Sequence, residues 1–167
     1  MSLASELIKV ATREIGVEEI DGTNTGKRVN EYKAATNLNP TESWPCCAAF
    51  ICWCVREALR ITGIRETATF KSPTTAGALD LENWSRRQDN STWTKAPPNG
   101  DIKAGDIITF KFKNGGHTGI ATSSPDSSGY ISTVEGNTDV AGSREGGGVF
   151  AKKRHISQVH GRIRFTI

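Results

Sequence analysis

No stretch of the 167-residue chain approaches the ~20 consecutive apolar positions that a membrane-spanning helix requires, so no membrane span is expected. The opening MSLASELIKVATREIG places acidic and basic residues where a secretory signal needs an unbroken apolar core. Synthesis in the cytoplasm without a signal peptide is the expectation, and a target outside the cell would then need another agent to deliver the protein. Proline is scarce, with 6 residues against 17 glycines, and hydrophobic residues make up 36% and charged residues 23%. That balance fits neither disorder nor a fibrous chain. Charge of one sign is nearly lacking too: 21 basic against 18 acidic residues leave +3, too little to point to nucleic acid. The local cluster Lys152, Lys153, Arg154, His155, His160, Arg162 and Arg164 alternates with apolar residues and reads as strands with a solvated basic face. Neither an internal repeat nor a linker is present, and at roughly 150 residues per domain the 1–167 span reads as one domain, expected to be monomeric.

The four cysteines all fall within the segment WPCCAAFICWCV, at 46, 47, 52 and 54. The segment is apolar on every side for ten positions from Cys46, the pattern of a buried helix running to about Arg60, with Thr62 and Gly63 ending it. At ~1.5 Å rise per residue, Cys47 and Cys54 would be at least ~10 Å apart, past the ~7 Å limit for a disulfide. Cys52 and Cys54 would point to nearly opposite sides. Zinc sites use paired ligands at other spacings, so no metal or other cofactor is implied. Asp21 to Gly26 carries one carboxylate and no bidentate glutamate at the calcium-loop offset, and reads as a turn.

Elsewhere the chain divides into helices first and strands second. SELIKVATREIG spaces Leu7, Ile8, Ala11 and Ile15 helically, with Ser2 or Ser5 as N-cap and Gly16 as the stop. A short helix is predicted from about Lys27 to Ala35, with Val29 and Tyr32 inward, and another from about Thr74 to Arg87, with Leu81 and Trp84 on one stripe. From Trp93 the period falls to two. Strand-like runs follow at 106–113, 117–122, 129–135, 148–153 and 160–167. This order predicts an α+β domain, helices packed on a C-terminal antiparallel sheet of about five to six strands.

Cys52 and Cys54 read as buried thiols acting as small hydrophobes. Cys46 and Cys47 fall in the first turn after Pro45, where unpaired N–H groups and the helix dipole favour a thiolate. A cysteine nucleophile needs a base and a third group to orient it. Of the three histidines, His155 and His160 lie among cations and read as surface residues, whereas His117 sits in Gly-Gly-His-Thr-Gly-Ile at a strand start. A hairpin centred near residue 126 or 127 would set His117 opposite Glu135 to Asn137. Strand alternation then puts Glu135 and Asn137 on one face, and either could accept the second imidazole N–H.

Several segments, in order, resemble the CHAP domain (cysteine, histidine-dependent amidohydrolase/peptidase), a papain-like family related to NlpC-type wall hydrolases. They are Glu14 to Glu19 with Asn24-Thr25-Gly26, Pro45 to Phe50, Gly105-Asp106-Ile107, Gly116 to Ile120 and Val134 to Thr138. The resemblance implies Cys47 as nucleophile, His117 as base, and Glu135 and Asn137 as the orienting group. Cys46 stands where the family often carries Trp, and Cys52 where it often carries Ser. The implied activity is cleavage of an amide bond in bacterial peptidoglycan, as N-acetylmuramoyl-L-alanine amidase or peptide endopeptidase, acting on the wall after release or export. An origin as a phage endolysin assisted by a holin, or as an exported toxin with an immunity protein, fits equally. Two other readings stay open: a cysteine peptidase or amidase on an intracellular substrate, and a silent binding module. Specificity is expected from the 62–72 and 140–148 loops.

Overall fold

The computed structural model describes residues 1–18, 25–42, 46–113, 115–138 and 148–167, without the side chains of 137 and 138. Helix α1 (Leu3–Arg13) is capped by Ser2, whose hydroxyl accepts from the Ser5 N–H at 3.1 Å. Its buried stripe is Leu3, Leu7, Val10 and Ala11. The helix ends at Arg13 rather than at Gly16, so Ile15, placed on the stripe by the sequence, falls outside it and is 42% exposed. Helix α2 (Lys27–Lys33) buries Val29 and Tyr32 as expected. Glu14, from the first segment of the family resemblance, is buried and receives Arg28 Nε at 2.9 Å, so that segment ties α1 to α2.

Helix α3 (Cys47–Thr62) runs through the main core with eleven of its residues buried, and Gly63 ends it at φ 72°, the left-handed conformation that glycine adopts without strain. It packs on α1, α2 and two strands of the sheet. Helix α4 is shorter than the sequence suggested, Asp80–Arg86 instead of a start near Thr74, although Leu81 and Trp84 are buried as predicted. Thr75 explains the late start. Its hydroxyl takes the Gly77 N–H at 3.0 Å and its carbonyl faces the Cys52 thiol at 3.3 Å, so local bonds replace a helical turn.

The antiparallel sheet has six strands, β1 (Ser91–Lys95), β2 (Ile107–Phe112), β3 (Gly115–Ala121), β4 (Tyr130–Thr138), β5 (Gly148–His155) and β6 (Val159–Phe165), in the order β1-β6-β2-β3-β4-β5. The α+β layout is the predicted one, and β1, which the alternation did not single out, pairs with β6 at the edge. Gly115 and Gly116, which precede the predicted run 117–122, already belong to β3, where they pair with Phe112 and Lys111. Ile107, Ile120, Val134, Val149 and Ile163 face the helices, while Ile108, Phe110, Ala121, Ile131 and Val159 form a second cluster on the other side. At the β5 edge, Gly16 N donates to Val149 O at 3.1 Å and Val149 N to Val17 O at 2.9 Å, which covers part of that edge.

The basic cluster does not form a solvated face. Arg162 and Arg154 are both 7% exposed, and Arg162 Nη2 reaches Asp101 Oδ2 at 3.0 Å. Arg164 Nη2 meets Asp106 Oδ2 at 2.8 Å, and His160 Nδ1 meets Glu82 Oε1 at 2.6 Å. Carboxylates on neighbouring elements draw these side chains inward, leaving Lys153 as the exposed cation of the run. His160 is therefore a strut between α4 and β6 instead of a surface residue.

Gly136 shows how closely α3 approaches β4: a Cβ built there would lie 2.7 Å from Phe50 Cβ. Gly136→Ala is expected to cost about 1–3 kcal/mol by overpacking. Urea unfolding should show a lowered midpoint at unchanged m-value.

Candidate active site

The backbone brings four segments together. Cys47 opens α3, where the first N–H groups have no intrahelical partner, and the first helical bond runs from Phe50 N to Cys46 O at 2.8 Å. His117 lies on β3, Glu135 on β4 and Arg154 on β5. The β3–β4 pairs Ile120↔Val134 and Ala121↔Thr133 centre the hairpin on residue 127, the predicted register. His117 Nε2 meets Glu135 Oε1 at 2.7 Å, with neither side chain exposed to solvent.

Among the described residues, three groups hold the Glu135 carboxylate. Besides His117, Thr133 Oγ1 donates to Oε2 at 2.6 Å, and Arg154 donates from Nε to Oε2 at 2.9 Å and from Nη2 to Oε1 at 2.5 Å. Burial alone would raise this carboxyl's pKa, but the bonds from Arg154 and then His117 hold it down at about 2. An ionised carboxylate only accepts, so the proton in the His117 bond belongs to Nε2. In the neutral ring Nδ1 is then the basic atom.

His117 Nδ1 is buried and meets no hydrogen-bond partner of normal geometry among the described residues. The Cys47 thiol is nonetheless close enough to act on the ring. Burial disfavours the charged imidazole, yet Cys47 and Glu135 outweigh it and raise His117 to about 9. A thiol near a buried imidazole nitrogen but not aligned with it is an arrangement that a cysteine nucleophile can use. The ring is braced by Phe110 and Phe112, stacked at 5.9 and 6.0 Å between centroids.

Two glycines make room for this geometry. A Cβ at Gly119 would lie 2.6 Å from Glu135 Cγ, and one at Gly116 would lie 2.7 Å from Leu79 Cγ. The segment Gly116 to Ile120 therefore keeps its glycines for steric reasons on either side of His117.

The remaining cysteines separate by environment. All four are free thiols. Cys46 is 2% exposed and packs in the main core, while burial pushes Cys52 up to about 12 and Cys54 well above the ordinary thiol value. The Asn137 side chain lies outside the described residues. Its backbone sits where the β4–β5 ladder shifts register between Gly136 and Thr138, so it is the residue left over by a bulge. Residues 21–24 of the predicted turn, Pro45 and residues 140–147 of the expected specificity loop also lie outside the described residues. The other expected specificity loop, 62–72, leaves the far end of α3, ~22 Å of helix from Cys47 at ~1.5 Å per residue. Among the described residues, no group of three or more His, Cys, Asp or Glu side chains could hold a metal ion, and no helix is long and apolar enough to cross a membrane.

A family model, the CHAP domain, matches residues 37–137, more than half of the chain. The chain belongs to the CHAP domain family. The matched span holds Cys47, His117, Glu135 and Asn137 and stops before Arg154. Solved structures with the same fold include "Crystal structure of a wild type endolysin LysIME-EF1", at 19% identity and TM-score 0.58, which covers 98% of this chain and 64% of that one. "The crystal structure of Ly7917" follows at 17% identity and TM-score 0.55, covering 98% and 62%. The same protein "with the hydrolyzing product of MDP" matches at 16% identity and TM-score 0.54, covering 97% and 62%. This CHAP domain thus spans less than two thirds of those chains. Among curated proteins, none matches significantly.

Arg154, Thr133 and the two phenylalanines are what sequence reasoning missed at this site. The alternation of the C-terminal run puts Arg154 on a solvated face, although an inward-facing Glu135 calls for a cation beside it.

The two shifted groups set opposite pH limits on stability. His117 is raised above 6.5, so its contribution is complete below 6.5 and is lost as pH climbs through about 9. Glu135 is lowered from 4.5, so its contribution is present above 4.5 and is lost as pH falls through about 2. Thermal unfolding should accordingly show a midpoint that declines from pH 6.5 to above 9 in the wild type. In Glu135→Gln that alkaline decline should shrink, because the imidazolium has lost its anion.

Proposed function

We propose that this CHAP domain is the catalytic domain of a peptidoglycan hydrolase, cutting an amide bond by acyl transfer to Cys47. The observation that carries the reading is the buried His117–Glu135 pair, 2.7 Å apart, with Nδ1 left as the basic atom beside a thiol in the first turn of α3. Family membership supports the chemistry. The endolysin among the structural neighbours, and the neighbour solved with the hydrolyzing product of MDP, support the wall as substrate.

In this mechanism Cys47 passes its proton to His117 Nδ1 and the thiolate attacks the amide carbonyl carbon. The oxyanion that forms accepts a hydrogen bond from the Cys47 backbone N–H, which has no helical partner. Imidazolium Nδ1–H then protonates the leaving amine, the C–N bond breaks and a thioester remains. His117 next takes a proton from water, hydroxide attacks the thioester, and Cys47 leaves as a thiol or thiolate. Glu135 holds Nε2–H throughout and keeps the ring in the tautomer and orientation that both steps need. Asn137 is the second polar group of the family motif, and we assign it, with Glu135, to orienting His117.

Digestion of purified peptidoglycan, followed by mass spectrometry of the soluble fragments, tests the proposal. Wild type should release fragments, and Cys47→Ala should release about 10³-fold less or none while keeping its fold by circular dichroism. A new L-alanine amino terminus beside a free lactyl carboxylate would identify an amidase, and new ends within the stem peptide an endopeptidase. Full activity in Cys47→Ala, or no fragments from any of several wall chemotypes, would sink the reading.

A further inference from the structure

Arg154 lies beyond the span that the family model matches, yet it makes more bonds to Glu135 than His117 does. Its guanidinium donates to both carboxylate oxygens, and Oε1 is shared between Arg154 Nη2 at 2.5 Å and His117 Nε2 at 2.7 Å. The same guanidinium lies over the rings of Phe110 at 5.1 Å and Phe112 at 5.8 Å, the two rings that also stack on His117. Arg154 is 7% exposed, so this cation is held inside the protein and little screened by water.

We propose that Arg154 is a positioning residue for the Cys47–His117 pair, acting through Glu135: its fork fixes the carboxylate plane and its charge offsets the anion that His117 would otherwise face alone. The inference rests on the hydrolase reading for its consequence in turnover, and on geometry alone for its effect on the ring.

The physical argument has two parts. A carboxylate held by one hydrogen bond can rotate about its last torsion, whereas one gripped by a planar fork cannot, so the fork fixes the direction in which Nε2–H must point. The charge matters separately. Two cations on one carboxylate repel, so Arg154 limits how strongly Glu135 can stabilise the imidazolium. An imidazolium bound to an uncompensated buried carboxylate would be a weaker acid, slow to give its Nδ1 proton to the leaving amine. Arg154 thereby keeps Glu135 ionised and oriented without letting it lock the proton on His117. Phe110 and Phe112 let a single pair of rings register both the arginine and the histidine.

Histidine-detected NMR titration of the intact chain tests this without substrate, so its result stands apart from whether peptidoglycan is the polymer cut. In Arg154→Met the His117 pKa should rise by about one unit, an effect of the size a neighbouring charge produces. Arg154→Lys, which returns a charge without the fork, should bring the titration back toward wild type. If wall fragments are released by the wild type, their rate should fall about tenfold or more in Arg154→Met, with the wall concentration for half-maximal rate little changed. A folded Arg154→Met protein whose His117 titrates as in wild type overturns the proposal, as does an Arg154→Lys titration no nearer wild type than that of Arg154→Met. Should Arg154→Met not fold, Arg154→Gln, which can still donate to Glu135 but carries no charge, takes its place with the same two outcomes.

Discussion

A carboxylate with no solvent exposure stands at the centre of this fold, and much of the sheet is arranged around its need for donors. Glu135 would be costly to bury as an anion if it were left alone. It is satisfied from three strands: Thr133 on its own strand, His117 from β3 and Arg154 from β5. Gly119 gives up its side chain so that the Glu135 stem can fit. The position of His117 is thus set by a buried charge whose other partners are already fixed. Such a charge tolerates little displacement, because any shift would leave a lone pair or an N–H unpaired where water does not reach.

β4 is the strand on which this depends. Its ladder with β3 comprises only Ile120↔Val134 and Ala121↔Thr133, whereas its ladder with β5 runs from Tyr130↔His155 to Thr138↔Gly148. The ladder to β3 has therefore ended before it reaches His117, and the side-chain bond from His117 to Glu135 takes over where backbone pairing stops. Alternation gives adjacent β4 residues opposite duties. Gly136 turns toward Phe50 of α3 and Glu135 toward His117. A slip of one residue would drive a carboxylate into the helix and a glycine against the histidine, so helix packing and site geometry depend on one register.

Much of this was legible before any coordinates. Change of period from helical to alternating gave the α+β order, and counting across a hairpin centred near residue 126 or 127 gave the register that sets His117 opposite Glu135 to Asn137. Less legible was whatever depended on partners distant in sequence. Asp101, Asp106 and Glu82 neutralise Arg162, Arg164 and His160 from other elements, and nothing in the alternation of the C-terminal run reveals them. Arg154 was hidden for the same reason, since a cation beside a hydrophobic neighbour reads as solvated until its anion is located. Helix ends were misplaced where local side-chain bonds or an early cap compete with the periodic pattern, as at Thr75 before α4 and Glu14 after α1.

The four cysteines show that place on one helix decides chemistry more than residue type does. Cys52 and Cys54 sit deep in α3, where burial pushes the thiol up and removes the reactive thiolate at neutral pH. Cys46 immediately precedes the helix and packs in the core, although only one peptide bond separates it from Cys47. Cys47 alone combines a first-turn position, with unpaired N–H groups at its back, and a buried imidazole whose other nitrogen is already committed. The helix supplies the electrostatic field and the sheet supplies the imidazole. Their meeting requires α3 to lie close on β4, and Gly136 permits that approach. Cys47, His117 and Glu135 are therefore brought together through one close contact, between Gly136 and Phe50, that involves none of the three side chains.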